Sequence, residues 1–146
     1  MSQVLDLFNA VGPAQFTATI CEVAPYFSSI QPTVVALRPG WAEATMPLRR
    51  EVTNHLGTMH AIALCNLAEL VAGTMIDASL PPGRRWIPKG MTVAYLKKGK
   101  TDVRAVSDGC GIDWHQTGDI VVPVNIVDTA GDTVFTAHIT MDVKEA

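Results

Sequence analysis

The stretch from Asn54 to Gly73, NHLGTMHAIALCNLAELVAG, limits the possible folds more than any other part of the chain. Thr58 is placed to cap a helix opening at Met59 or His60, and the residues beyond are apolar on nearly every side until Gly73 and Asp77. A helix without a polar face has to be wrapped by the rest of the chain. Pro81-Pro82-Gly83 cannot continue it, so it is expected to end near Ser79. His60 stands at its start and Glu69 in its middle, and an acid is seldom placed inside a core without a partner or a chemical task. Nine residues at about 100° each put Glu69 about half a turn out of phase with His60 and about 13 Å further along the axis. Within one chain the two side chains cannot meet. If they share a site, two copies of the helix must lie side by side.

The segments around this helix alternate apolar and polar residues. Thr33 to Leu37 and Trp41 to Met46 form a β-hairpin signal around Arg38-Pro39-Gly40. Beyond the helix, strands are expected at Trp86 to Tyr95, Asp102 to Ser107 and Asp119 to Val127, where Pro123 suggests a bulge or an edge. Thr129-Ala130-Gly131-Asp132 then turns tightly into Thr133 to Val143, a strand with one buried face. Two short helices, at residues 2–11 and 14–23 with a break at Gly12-Pro13, form an N-terminal segment (1–25) expected to pack on an edge or end of the sheet. One long apolar helix wrapped by a meandering antiparallel sheet is an α+β architecture, in a single domain spanning 1–146.

Apolar residues make up 48% of the chain and charged residues only 17%, more apolar than the surface of a domain this size requires. The surplus points to a hidden interface, and so to a homo-oligomer, dimer or tetramer. A net charge of −3 gives no reason to expect nucleic acid. Between Arg84 and Arg104, however, stand seven of the eleven basic residues against one acid, Asp102. Lysines that protect strand edges account for such a cluster, and so does a phosphate site. Cys21, Cys65 and Cys110 are odd in number and widely spaced, which suggests neither a disulfide framework nor zinc. The N-terminus lacks the basic region of a signal peptide and is too polar to span a bilayer, so a reduced, cytoplasmic setting without membrane insertion is expected.

Asn54, Gly57, His60 and the acid nine positions later resemble the N-x-x-G-x-x-H-G-G then Asp/Glu signature of hotdog-fold thioesterases. The branch is that of the phenylacetyl-CoA thioesterases with its DUF-type members. The order of elements is also similar from about residue 30 to the C-terminus. The two glycines of the signature are Ala61 and Ile62 here. The resemblance implies a hotdog fold whose dimer joins two sheets edge to edge with both helices on one side. It also implies an acyl-CoA thioesterase acting on an acyl or aryl-acyl thioester at the dimer interface, with coenzyme A as part of the substrate and no cofactor. In that family setting Asn54 orients the water or the carbonyl, Gly57 allows the turn, His60 hydrogen-bonds the thioester or steadies the loop, and Glu69 is general base or nucleophile. The Arg84–Met91 segment would line the acyl pocket, with Arg84, Arg85, Trp86, Lys89 and Met91 as substrate-binding candidates.

Each assignment has a plainer reading. An Asn-x-x-Gly loop is common turn chemistry, and a histidine at a helix start is more often structural. Trp86 and Met91 are as easily core as pocket. Glu69, expected to be buried among Cys65, Leu70, Ala72 and Gly73 with its pKa raised, could instead bond Asn66 or a backbone group. The Ala61 amide, unpaired at a helix N-terminus, is suited to an oxyanion on physical grounds alone. His55, His60 and Glu69 lack the spacing of a metal-binding helix, so no metal is expected. Two other readings stay open: a hotdog dehydratase or hydratase acting on acyl thioesters, and a non-catalytic acyl-binding hotdog protein, which Ala61 and Ile62 favour.

Overall fold

In a computed structural model, which describes residues 2–146, the alternating segments form six strands. They are β1 (Thr33–Arg38), β2 (Trp41–Met46), β3 (Arg84–Tyr95), β4 (Val103–Asp108), β5 (Gly118–Asp128) and β6 (Thr133–Glu145). All pairings are antiparallel, in the order β1-β2-β4-β5-β6-β3. The sheet curls around a central helix, α2 (Ala61–Ser79), which ends where the prolines require. The most apolar window of α2 is long enough to cross a bilayer, but two-thirds of it (67%) is buried inside the fold. Leu67, Val71 and Met75 are fully buried in one core with Phe135, Ile139 and Met141 of β6 and Ile120, Val122 and Ile126 of β5. Each such side chain contributes about 1.5–3 kcal/mol by leaving water.

The helix starts later than Thr58 would have placed it. The Met59 amide donates to the Gly99 carbonyl (2.7 Å) and the His60 amide to the Val52 carbonyl (2.8 Å), which keeps both residues extended. The first helical residue is therefore Ala61, and the cap is His60, whose Nδ1 accepts from the Ile62 amide at 3.1 Å. Thr58 is occupied elsewhere: its hydroxyl is bonded to the Asn54 side chain.

The N-terminal segment, α1 (Gln3–Val23), consists of two helical runs that meet at a kink, as the sequence suggested: Gly12 between them is non-helical (φ 81°, ψ 176°), and Pro13 follows. Thr17 Oγ1 donates to the Pro13 carbonyl and accepts the β1 amide of Val34, so α1 covers the β1 edge of the sheet. Pro123 is not at a bulge, since the register shift of β5 lies between Ile126 and Val127, and although β5 is internal to the sheet, its β4 side is locally a free edge at this position. Its ring nitrogen faces β4, as its carbonyl does in accepting from Ser107 Oγ, but the β4 ladder has already ended at Val106↔Asn125, so no donor is missed.

The other edge, β3, has no cover. Ile87, Met91 and Tyr95 are 63%, 39% and 60% exposed there. An unpaired edge flanked by apolar side chains invites a second chain.

Asp128 fastens the β5–β6 turn. Its Oδ1 accepts the Ala130 and Asp132 amides, and its Oδ2 meets Lys97 Nζ at 2.9 Å. Lys97, which also bonds Asp132, is pushed up to about 12, and the Lys97 hydrogen bond holds the Asp128 carboxyl below the ordinary 3.8. A carboxylate with a lowered folded-state pKa contributes stability above 3.8 and loses it as pH falls through the folded value. Asp128→Asn should therefore lower Tm at neutral pH, and the gap from the parent protein should close in acid. A gap of the same size at pH 3 and pH 7 would contradict this.

Candidate active site

The loop before α2 is built by Asn54. Its Oδ1 accepts the amides of Leu56 (2.9 Å) and Thr58 (3.2 Å), and its Nδ2 donates to Thr58 Oγ1 at 3.0 Å. One Nδ2 hydrogen is left over. Gly57 closes the loop with φ at +76°, a conformation that side-chain-bearing residues rarely adopt, and donates its amide to the Asn54 carbonyl. The product of this loop is an exposed helix N-terminus. As the first residue of α2, Ala61 has an amide with no acceptor among the described residues. Asn54 and Ala61 line one cleft of about 330 Å³, together with Leu56, Met59, Tyr95 and Lys98.

His60 is not brought to this cleft. Its ring is turned to cap the helix and lines a separate hollow with Tyr26, Glu51 and Asn66. His55 is exposed.

Glu69 is half-exposed, not buried as its apolar neighbours suggested. From Leu64 to Ala78 the only residues of α2 not buried are Cys65, Glu69 and Asp77. With Ala61 they fall on positions spaced by four, a single ridge. That ridge faces the gap beside β3, where the chain's own covering ends. The Glu69 carboxylate has no hydrogen bond among the described residues, neither to Asn66 nor to the backbone, while Asn66 Nδ2 is spent on Tyr26 and Ser29. Burial pushes the Cys65 thiol up, partly offset by its hydrogen bond with Tyr95.

Glu69 opens onto a different space from Ala61, an apolar cavity of about 270 Å³ shared with Phe27, Leu70, Trp86 and Pro88. Eight residues separate the two, about 12 Å of helix axis, beyond the reach of a hydrogen bond or a single bridging water. Within one chain the pair is therefore not assembled.

At the far side of the same cavity Asp77 Oδ1 accepts the Trp86 indole N–H at 2.6 Å. Burial pushes the Asp77 carboxyl up, with the indole hydrogen bond pulling it partly back. Gly73 makes room for this ring: a Cβ there would lie 3.0 Å from Trp86 Cη2. Sequence reading missed Asp77 as part of the site, although it follows Glu69 by two four-residue steps within an apolar run.

The basic cluster is mostly tied down. Lys89 pairs with Asp119 at 2.7 Å, Arg104 with Glu43 at 2.7 Å, and Arg84 donates to the His115 and Gln116 carbonyls. Arg85 is exposed, and neither it nor Lys89 lines the two cavities; Met91 stands on the helix-facing side of the free edge. Lys98, exposed and without an ion pair among the described residues, is the lysine that borders the Asn54–Ala61 cleft without being neutralised.

Residues 12–143 match the family model of a domain of unknown function, DUF4442. A crystal structure of a structural-genomics protein, APC5556, is 60% identical, with 99% of this chain and 97% of that one covered at a TM-score of 0.91. The thioesterase HI1161 from Haemophilus influenzae is 18% identical, with 82% of each chain covered at 0.74. A thioesterase family protein from Silicibacter pomeroyi is 15% identical over 98% and 96% of the two chains at 0.75. No curated protein matches the sequence. The likenesses to HI1161 and the Silicibacter pomeroyi protein show the fold, a hotdog fold.

Proposed function

The chain belongs to the DUF4442 family, and from that premise we propose that it is an acyl-CoA thioesterase whose active site is completed by a second copy of itself. One observation carries the proposal: an unpartnered amide and an unpaired carboxylate, Ala61 N–H and Glu69, lie on the one ridge of α2 that stays partly open where the helix is otherwise buried, from Leu64 to Ala78. Midway between them stands Cys65. A two-fold axis passing near Cys65 would set two α2 helices antiparallel, with Glu69 of each beside Ala61 of the other. The same axis would lay the free β3 edges together and cover Met91 and Tyr95.

In such a site the Glu69 carboxylate takes a proton from water, and the resulting hydroxide adds to the thioester carbonyl. The oxyanion is held by the Ala61 amide at the positive end of α2, with the spare Asn54 Nδ2 hydrogen nearby. Collapse of the tetrahedral species breaks the C–S bond; the acid departs, and the thiolate takes up the proton held by Glu69. Lys98 at the cleft mouth suits the phosphates of coenzyme A. His60 serves the site through the helix it caps.

Incubation with a panel of medium-chain, long-chain and aromatic acyl-CoAs and a thiol-reactive dye should show catalysed thiol release from at least one class. Absence of release from every member, with the protein folded and dimeric, would overturn the assignment.

A further inference from the structure

The cavity beside Glu69 is walled on one side by Ile20, Ala24 and Phe27, from the end of α1 and the turn after it, and on the other by Leu70, Trp86 and Pro88. Its polar groups are few, and two of them are placed with purpose: Glu69, and Asp77 bound to the Trp86 indole. Asp77 also lines the next hollow, among Ser2, Leu80, Pro81 and Arg84, whereas Trp86 does not. Asp77, held to the Trp86 indole, thus borders both spaces, while the indole faces only the first. The indole has little freedom to leave, held by the 2.6 Å bond at its nitrogen and packed against the bare backbone of Gly73.

A thioester carbonyl attacked by water at Glu69 has its acyl group beside this opening. The Asn54–Ala61 cleft also has apolar walls, Leu56, Met59, Leu64 and Leu96 among them, but it carries the unneutralised Lys98 and so suits the coenzyme A end of the substrate rather than its acyl group. An apolar cavity of 150 Å³ holds one benzene, so 270 Å³ holds about ten carbon atoms.

Resting on the thioesterase reading above, we propose that this cavity takes the acyl group and that Trp86 is its specificity-determining end wall. The acyl groups accepted are straight or aryl-terminated, of up to about ten carbons. Their far end lies against the indole. The end of the N-terminal segment supplies the opposite wall through Ile20, Ala24 and Phe27 and so takes part in substrate choice.

Two arms test this. In the first, kcat/KM is measured across straight-chain acyl-CoAs of increasing length. The parent profile should fall at least tenfold beyond about ten carbons. Trp86→Leu should move that fall to longer chains, and Ala24→Leu, which fills the cavity from the α1 side, should move it to shorter ones. Unchanged profiles in both folded variants would overturn the proposal.

The second arm needs no turnover. An S-alkyl coenzyme A thioether of about ten carbons, brominated at its terminal carbon, cannot be hydrolysed and should quench tryptophan fluorescence on binding. The quench should be lost in Trp86→Phe, while Trp41 and Trp114 remain. Binding without loss of quench in that variant, or no binding at all, would also overturn it. Quenching by Trp86 without thiol release from any acyl-CoA would remove the thioesterase reading and leave the cavity assignment standing. Thiol release with no involvement of Trp86 would do the opposite.

Discussion

Glu69→Gln should lower kcat by about 10²–10⁴-fold, the range expected when a general base is removed, with the protein still folded and dimeric. The replacement keeps the side chain's shape and removes only its charge and its ability to take a proton. Because the carboxylate has no hydrogen bond among the described residues and is half-exposed, no buried partner is left stranded by the change. KM should stay close to that of the parent, since the acyl cavity keeps its walls. Steady-state kinetics with the best acyl-CoA of the panel, together with sedimentation to confirm the dimer, decide the matter. Parental turnover in the variant would remove Glu69 from the mechanism.

Ala61→Pro should cost about 10²–10³-fold in kcat, the usual effect of losing one oxyanion donor. This position is unusually open to the experiment. Proline is at home at the first residue of a helix, where its missing N–H has no acceptor to lose. The residue before a proline has to be extended, and His60 already is, with φ −66° and ψ 134°. The substitution therefore deletes one hydrogen atom of interest and little else. Thermal stability should be near the parental value. A stable variant with parental kcat would show that the oxyanion is held by other groups, Asn54 among them.

Much of the fold could be read from the chain because the signals are local. The end of α2 at Ser79 follows from Pro81-Pro82, the β1–β2 hairpin from Pro39-Gly40, and the inward face of β6 from strict alternation between Thr133 and Val143. What escaped was set by distant parts of the chain. The start of α2 depends on Gly99, forty residues further on, whose carbonyl keeps Met59 extended and hands the cap from Thr58 to His60. The exposure of Glu69 depends on where the sheet stops. Its neighbours in sequence are apolar, but its ridge faces the space beyond β3, which no local pattern reveals. The basic run from Arg84 to Arg104 reads as one patch, whereas Glu43, Asp119 and Asp128 from other strands and Asp132 from the β5–β6 turn neutralise Lys89, Lys97 and Arg104. Asp77 and Trp86 lie on either side of a proline turn, and only the folded chain brings the carboxylate to the indole.

A mixture of the two inactive variants tests shared assembly most directly. If each site takes Glu69 from one chain and Ala61 from the other, a mixed dimer of Glu69→Gln and Ala61→Pro has one intact site and one doubly damaged site. Unfolding and refolding the two together in equal amounts gives half mixed dimers, so activity should return to about a quarter of the parental level. Activity that stays at the level of the separate variants, with mixed dimers shown to be present, would contradict a site built from two copies.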